Sequence, residues 1–190
     1  IPTEQPERQV LVFDKPIATQ SQILLGCQLA VEDELRDRPS ALVVGDVLGE
    51  MAWRRLREEA GVTYGAGAYT SIDDGGTALL IMSSLVQNDA VGFGVETMLD
   101  LVNAGATGDV DEQSIANAQW TRARTYVLGQ QSGQQMLNRL VSVGLEDFSY
   151  FETYPEDLGN VSLDVFEPMM STCVGQEVVT IVGPREYAEE

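Results

Sequence analysis

Residues 19–29 read Thr-Gln-Ser-Gln-Ile-Leu-Leu-Gly-Cys-Gln-Leu, the clearest apolar–polar alternation in the 190-residue chain. A period of two places successive side chains on opposite faces of a β-strand. One face of this predicted strand carries Ser21, Ile23, Leu25, Cys27 and Leu29, and the other carries Gln20, Gln22, Gly26 and Gln28. Such a strand belongs in a sheet with one face covered by helices and the other face open.

The rest of the sequence predicts four further strands and several helices. The strands are predicted over 8–14, 64–71, 76–85 and 177–182, with the middle two forming a hairpin about the turn at 73–76. Helical periodicity predicts helices over 33–48 and about 50–60, from Asp89 to near Gly105, after Asp111, over about 132–143, and after Ser162. Hairpin strands followed by clustered helices indicate an α+β fold rather than alternating βαβ units.

Several helix ends have specific signals. Gly61 is placed to end the second helix as its C′ residue. Asp111 is placed as an N-cap, with Val110 and Ile115 at the positions of a hydrophobic staple. In the last helix, Pro168 should kink or shorten the helix because it cannot donate a backbone hydrogen bond.

The helix that follows Asp111 is expected to bury one apolar stripe. That stripe consists of Ala116, Trp120, Ala123 and Val127. Trp120 and Tyr126 lie on or near it, so we expect both rings to belong to the core rather than to a platform for stacking nucleobases.

The two cysteines are too few and too far apart for a disulfide framework or a thiolate zinc site. We expect Cys27 and Cys173 to be buried thiols, and the alternative is that they pair with each other.

The charge excludes several classes of function. The formal net charge is −19, Lys15 is the single lysine and the chain has no histidine. Phosphate-backbone binding and an anionic membrane surface are disfavoured because both would be repelled. Without histidine the chain cannot build a Ser-His-Asp triad, a histidine-ligated zinc or a histidine general base by itself. No apolar run approaches the ~18 residues of a membrane span.

The length fits one substantial domain. We expect residues 1–9 to be an interdomain linker, residues 10–185 to form a single α+β domain, and residues 186–190 to form an acidic tail. Gly65-Ala66-Gly67 follows no predicted strand and opens no helix, which indicates a tightly packed strand rather than a phosphate-binding loop.

One segment places two long hydrogen-bond donors together. Residues 56–65 read Leu-Arg-Glu-Glu-Ala-Gly-Val-Thr-Tyr-Gly, which predicts an arginine at a helix end, a glycine stop and a tyrosine opening the next strand. The helix-to-strand turn brings Arg57 and Tyr64 to the same rim of the sheet. The guanidinium and the phenol are both suited to bind peptide carbonyls. The alternative is that Arg57 pairs with a nearby glutamate and Tyr64 is part of the core.

The sequence from Val10 to Gly183 resembles the non-zinc domain of the insulinase/pitrilysin family of zinc metallopeptidases, which includes the mitochondrial processing peptidases. The resemblance rests on VLVFDKP, TQSQILLG, LREEAGVTYGAGAYTS, GGTALLIMSSLVQNDA, the Val110-Asp111-Glu112-Gln113 helix start, Val143-Gly144-Leu145 and VVTIVGP. It implies an α+β fold with helices on one face of a mostly antiparallel sheet. One departure is the connection between the two early helices, residues 48–56, which is shorter than in most members.

The resemblance also implies a function. Two homologous domains normally face each other, and the one with an inverted His-x-x-Glu-His motif binds zinc and hydrolyses the substrate. The other supplies an arginine and a tyrosine, spaced as Arg57 and Tyr64 are here, which hold the substrate near its scissile bond. We therefore expect no metal in this chain, zinc in a homologous partner domain, and a peptide substrate. The alternative is a non-catalytic structural or assembly domain of the same fold.

Overall fold

The computed structural model describes residues 7–32, 34–72, 77–143 and 149–188. These residues form a five-stranded sheet and six α-helices, which confirms the predicted α+β class. The strands are β1 Gln9–Asp14, β2 Gln20–Leu29, β3 Thr63–Ile72, β4 Ala78–Gln87 and β5 Val178–Gly183. The helices are α1 Glu34–Trp53, α2 Val91–Thr107, α3 Glu112–Gly129, α4 Gly133–Val143, α5 Ser149–Gly159 and α6 Leu163–Met170. No helix among the described residues is long and apolar enough to cross a membrane.

The strand order across the sheet is β1-β5-β2-β4-β3. β2 pairs antiparallel with β4 and β5, β3 pairs antiparallel with β4, and β1 pairs parallel with β5. The predicted hairpin is therefore confirmed as β3 and β4, although its turn at 73–76 lies outside the described residues. Residues 1–6, 33, 144–148, 189 and 190 also lie outside the described residues. They include most of the predicted linker and part of the predicted tail.

The predicted faces of β2 are confirmed. Ser21, Ile23, Leu25, Cys27 and Leu29 are all buried under the helices. Gln22 and Gln28 on the opposite face are exposed. Apolar side chains elsewhere on that open face are also accessible, among them Tyr69, Leu79 and Leu85. The helices therefore cover one side of the sheet and leave the other side open.

Helix α1 packs very closely on β3. A Cβ added to Gly49 would lie 2.9 Å from the backbone nitrogen of Ala68, a distance that real Cβ atoms do not adopt. The same test at Gly45 gives 2.7 Å to Oγ1 of Thr70, whose hydroxyl donates to the Ala41 carbonyl at 2.7 Å. Glycine at these two positions lets the helix backbone approach the strand directly.

The prediction of two early helices, 33–48 and about 50–60, is wrong. α1 runs unbroken to Trp53 and continues as a π-helical turn over Arg54–Glu59. Gly49 does not end the helix because its missing side chain is used for contact with β3 and not for a change in backbone direction. The chain reverses at Gly61, whose φ of 66° confirms the predicted glycine stop.

The predicted buried stripe of α3 is also wrong. Trp120 is 62% exposed and Val127 is 60% exposed, and Ala116 and Ala123 are exposed too. The buried face of α3 instead carries Ser114, Ile115 and Ala118. Tyr126 is half-buried and packs against the core, as expected, with its hydroxyl donating to the Phe151 carbonyl at 2.8 Å.

Polar contacts explain why the apolar pattern gave the wrong face of α3. Arg122 Nε and Nη2 donate to the two carboxylate oxygens of Asp46 in α1, at 2.5 and 2.6 Å. Gln119 Nε2 donates to the carbonyls of Leu158 and Val161, at 2.8 and 2.9 Å. The predicted N-cap is confirmed, since the Asp111 side chain accepts from the backbone N–H of Gln113.

The cysteines are bonded to each other, contrary to the expectation of two buried thiols. The Cys27–Cys173 disulfide joins β2 to the turn after α6, across a sequence separation of 146. Thr172 holds that turn on β2 by donating from its hydroxyl to the Gln28 carbonyl at 2.8 Å. The sequence separation could not reveal this approach because it results from the position of α6 beside β2.

A buried carboxylate anchors the start of β5. Glu177 is fully buried and accepts from Arg8 Nε at 2.8 Å and from Nη2 at 3.2 Å. Burial alone would raise the pKa of Glu177, but the Arg8 hydrogen bond and backbone N–H groups outweigh it and hold the pKa below its ordinary 4.5. The ion pair therefore stabilises the fold fully above pH 4.5 and loses that contribution as the pH falls through the lowered pKa.

Arg8→Ala is expected to lower the free energy of unfolding by about 1–3 kcal/mol at pH 7, because Glu177 then stays charged, buried and poorly paired. Urea titrations should show that the difference from wild type narrows as the pH falls below 4.5. Arg55→Ala, at another partly exposed arginine, serves as the matched control and should change little. A difference that stays constant from pH 7 into the acid range would contradict this account.

Candidate functional site

Arg57 and Tyr64 lie side by side. Arg57 is in the π-helical turn after α1, and Tyr64 is the second residue of β3. The Arg57 guanidinium carbon lies 5.5 Å from the centroid of the Tyr64 ring, within the range of a cation–π contact. The reversal at Gly61 brings them together, and the backbone N–H of Val62 fixes it by donating to the Leu56 carbonyl at 3.1 Å.

Both side chains are open to solvent. Tyr64 is 81% exposed and Arg57 is partly exposed. Neither side chain makes a hydrogen bond or ion pair with any other residue that the structure describes. The alternative in which Arg57 pairs with a nearby glutamate and Tyr64 is core therefore does not describe this geometry. A guanidinium and a phenolic O–H remain as donors at one rim of the sheet.

A buried hydroxyl pair beneath Tyr64 positions it. Thr63 is 3% exposed, and its hydroxyl donates to the Leu85 carbonyl at 2.6 Å and accepts from the Gly65 N–H at 3.0 Å. Ser84, also buried, donates to Thr63 Oγ1 at 3.1 Å. These bonds hold the irregularity in the β3–β4 register between Thr63 and Ala66. A bulge of this kind re-aims the side chains beside it, here Tyr64.

Sequence reasoning missed the roles of Thr63 and Ser84. A buried threonine or serine in a strand is indistinguishable by type from a surface residue, so no sequence pattern pointed to them. Ser84 falls within the strand predicted over 76–85, whereas Thr63 lies just before the strand predicted over 64–71, so neither position indicated a buried hydroxyl.

A groove runs along the free edge of β3. β3 is an edge strand of the described sheet, so one side of its backbone has no strand partner. The groove has a volume of about 380 Å³ and lies between this edge, α1 and α3. Its lining includes Asp46 and Glu50, the small residues 66–68, and Asn117 and Thr121. The Gly65-Ala66-Gly67 segment is thus part of a strand, as predicted, and leaves room beside it.

The described residues do not form a zinc site. The sequence has no histidine, and both cysteines are bonded to each other. Among the residues described by the structure, no three Asp, Glu or Cys side chains form a group that could hold a metal ion.

A sequence model described as "Peptidase M16 inactive domain" matches residues 1–122. This match covers more than half of the chain. The chain belongs to the peptidase M16 family. The resemblance to the non-zinc domain of insulinase/pitrilysin peptidases is thereby confirmed. No curated protein sequence matches this M16 domain significantly.

Several solved structures share the fold. A peptidase M16 inactive domain from Pseudomonas fluorescens matches with a TM-score of 0.74 at 14% identity, over 95% of this chain and 44% of that chain. A protease from Helicobacter pylori matches with a TM-score of 0.82 at 10% identity, over 95% of this chain and 45% of that chain. The periplasmic protease PqqL from Escherichia coli matches with a TM-score of 0.70 at 14% identity, over 94% of this chain and 21% of that chain. The M16 domain described here thus spans less than half the length of these structures.

Proposed function

We propose that this M16 inactive domain is the substrate-binding half of a two-domain zinc metallopeptidase that cleaves peptides or unfolded protein segments. The observation that carries the proposal is the exposed pair of Arg57 and Tyr64, whose donors have no partner within the described residues. A buried pair with all its hydrogen bonds made inside the domain would stabilise the fold. An exposed pair with free donors can instead bind the carbonyl of a substrate. The zinc is expected in a homologous partner domain, and the isolated chain is expected to be inactive.

In this proposal Tyr64 and Arg57 bind the substrate carbonyl at the scissile bond. The phenolic O–H donates to the carbonyl oxygen, and that bond strengthens as negative charge develops on the oxygen. The guanidinium beside the ring adds a second donor and a positive charge close to the same oxygen. Thr63 and Ser84 are positioning residues, since they hold the bulge that presents Tyr64.

The free edge of β3 can hold the rest of the substrate. An extended peptide that adds to a sheet edge binds through main-chain hydrogen bonds, so it is accepted with little regard to sequence. The small side chains of residues 66–68 leave that edge accessible from the groove. Because Tyr64 is the second residue of the same strand, a peptide paired with β3 would run directly to the Arg57–Tyr64 pair.

The groove favours basic side chains. Glu50 lines it, and the whole chain carries a formal charge of −19. Asp46, also in the lining, is already paired with Arg122, which leaves Glu50 as the stronger attraction for an incoming arginine or lysine. We therefore propose peptides with basic residues near the scissile bond as the substrate class.

Peptide binding to the isolated chain tests this proposal without a partner domain. A fluorescein-labelled extended peptide of about ten residues with two arginines should bind, as measured by fluorescence anisotropy. Tyr64→Ala should weaken binding roughly tenfold, because one hydrogen bond and one ring contact with the peptide are lost. Glu50→Gln should weaken binding of this peptide but not of a matched peptide with glutamines in place of the arginines.

Tyr69→Ala is the matched control, since Tyr69 lies on the same strand and is 54% exposed. It should leave the dissociation constant within about twofold of wild type, as expected for a side chain outside the site. Equal effects of Tyr64→Ala and Tyr69→Ala would count against the proposed site. A peptide N-methylated at alternate backbone amides should bind poorly if the β3 edge is used, and unimpaired binding would exclude that edge.

A further inference from the structure

The turn that carries Arg57 is π-helical. α1 ends at Trp53, and the chain continues over Arg54–Glu59 with hydrogen bonds of the π type. The backbone N–H of Ala60 donates to the Arg55 carbonyl at 3.1 Å, a bond that spans five residues where an α-helix spans four. Turns of this kind are rare in proteins and frequent at functional sites, so this one needs a physical cause.

One side-chain hydrogen bond has the same five-residue spacing as the π-helical turn. The indole Nε1–H of Trp53 donates to Oε1 of Glu58 at 3.2 Å. With 3.6 residues per turn, an α-helix would place the fifth residue on about 140° away around the helix axis. The wider turn of a π-helix returns that residue to nearly the same side as the first one. The bond between Trp53 and Glu58 therefore fits the π register and not the α register.

The register of the turn decides where Arg57 points. Residues four apart are neighbours on an α-helix, so the α register would place Arg57 beside the Trp53 ring. In the π register Glu58 occupies that place, and the Arg57 guanidinium carbon lies 5.5 Å from the centroid of the Tyr64 ring instead. Both rings attract a guanidinium, and Trp53 is 41% exposed and so accessible to one. The two rings therefore compete for Arg57, and the register decides between them.

We infer that Trp53 and Glu58 are positioning residues, because their hydrogen bond holds this turn in the π register. That register directs Arg57 to Tyr64. The two registers of a terminal turn differ little in free energy, since helix ends fray and leave carbonyls without intrahelical partners in both. A hydrogen bond to a carboxylate is stronger than one between neutral groups, so a single such bond can select the π register. The positioning is a property of the fold, while its use in binding a substrate carbonyl rests on the proposed function.

Nuclear Overhauser effects measured on the 20.7 kDa chain test the inference without any substrate. The wild type should show contacts between the Arg57 side chain and the Tyr64 ring. Trp53→Phe removes the donor and Glu58→Ala removes the acceptor, so each should weaken these contacts by at least half. In Glu58→Ala, new contacts between Arg57 and the Trp53 ring should appear as the turn adopts the α register. Glu58→Gln should keep the wild-type pattern, because its amide oxygen still accepts from the indole N–H.

Trp120→Phe and Glu59→Ala are the matched controls. Trp120 is the other tryptophan of the chain and is 62% exposed on α3, and Glu59 is an exposed glutamate of the same π-helical turn. Both changes should leave the contacts between Arg57 and Tyr64 as they are in the wild type. Contacts that survive both test variants would overturn the inference, as would their absence from the wild type. Their loss in Glu59→Ala would also overturn it, since it would indicate an effect of charge alone.

Binding of the fluorescein-labelled arginine peptide separates this inference from the proposed function. Trp53→Phe should weaken binding about threefold, near the lower end of what one hydrogen bond contributes. In an Arg57→Ala background the same change should have no effect, because the residue that it positions is gone. An equal effect in both backgrounds would overturn the inference. If Trp53→Phe separates Arg57 from Tyr64 but leaves the affinity unchanged, the inference stands and the proposed substrate-binding role of Arg57 fails.

Discussion

Arg57→Ala and Tyr64→Phe should each lower kcat by about 10²–10³-fold when the chain is assembled with its zinc-bearing partner domain. The reason is that each change removes a donor to the oxygen on which negative charge develops, while substrate binding through the β3 edge persists. KM should change much less than kcat, because the missing bond is strongest in the transition state. Steady-state cleavage of a fluorogenic peptide measures both parameters.

Tyr69→Phe and Arg55→Ala are the matched controls for these two changes and should retain full turnover. Tyr64 is 81% exposed, so Tyr64→Phe should leave the melting temperature unchanged as well. Variants at Arg57 and Tyr64 that keep full activity would contradict the substrate-binding role. That outcome would favour the alternative of a structural or assembly domain.

Replacing both cysteines should produce the largest change in stability. Cys27→Ala with Cys173→Ala is expected to lower the free energy of unfolding by about 3 kcal/mol, since a disulfide that closes a long loop restricts the unfolded chain. For a domain of this size the melting temperature should fall by roughly 6–12 °C. Thermal denaturation followed by circular dichroism measures the shift.

Reduction of the wild-type protein provides the independent check. The bond is buried, with Cys173 fully inaccessible, so reduction should be done in denaturant before refolding under reducing conditions. The refolded wild type should then melt close to the double variant, and the double variant itself should not respond to the reductant. A wild type whose melting temperature is the same in both redox states would show that the two sulfurs are not joined.

The sheet could be predicted from the sequence where the type of a residue indicates whether its side chain is buried or exposed. In β2, the apolar residues Ile23, Leu25, Cys27 and Leu29 alternate with mostly polar ones, and the structure buries the predicted face. Gly61 and Asp111 were also predictable, because a positive φ and an exposed helix N-terminus each favour a small set of residues.

Other features depend on partners that are distant in the sequence. The inner face of α3 could not be predicted, because Arg122 and Gln119 hold it through contacts with α1 and the end of α5. The same holds for the candidate site. The spacing of Arg57 and Tyr64 was visible, but the bulge held by Thr63 and Ser84 depends on the pairing of two strands.

The position of β5 in the sheet has a consequence for how the domain is made. β5 is the last strand of the chain, yet it lies between β1 and β2 and is the strand through which β1 joins the sheet. At ribosomal rates of ~5–20 residues per second, the sequence separation of 146 between Cys27 and Cys173 corresponds to roughly 7–30 s of synthesis. For that time the nascent chain carries β1 without a partner and β2 with one unpaired edge, a state open to aggregation. The sheet of this M16 domain should therefore be completed only once β5 has been synthesised, and ribosome-associated chaperones should matter more for it than for a domain whose sheet assembles in sequence order.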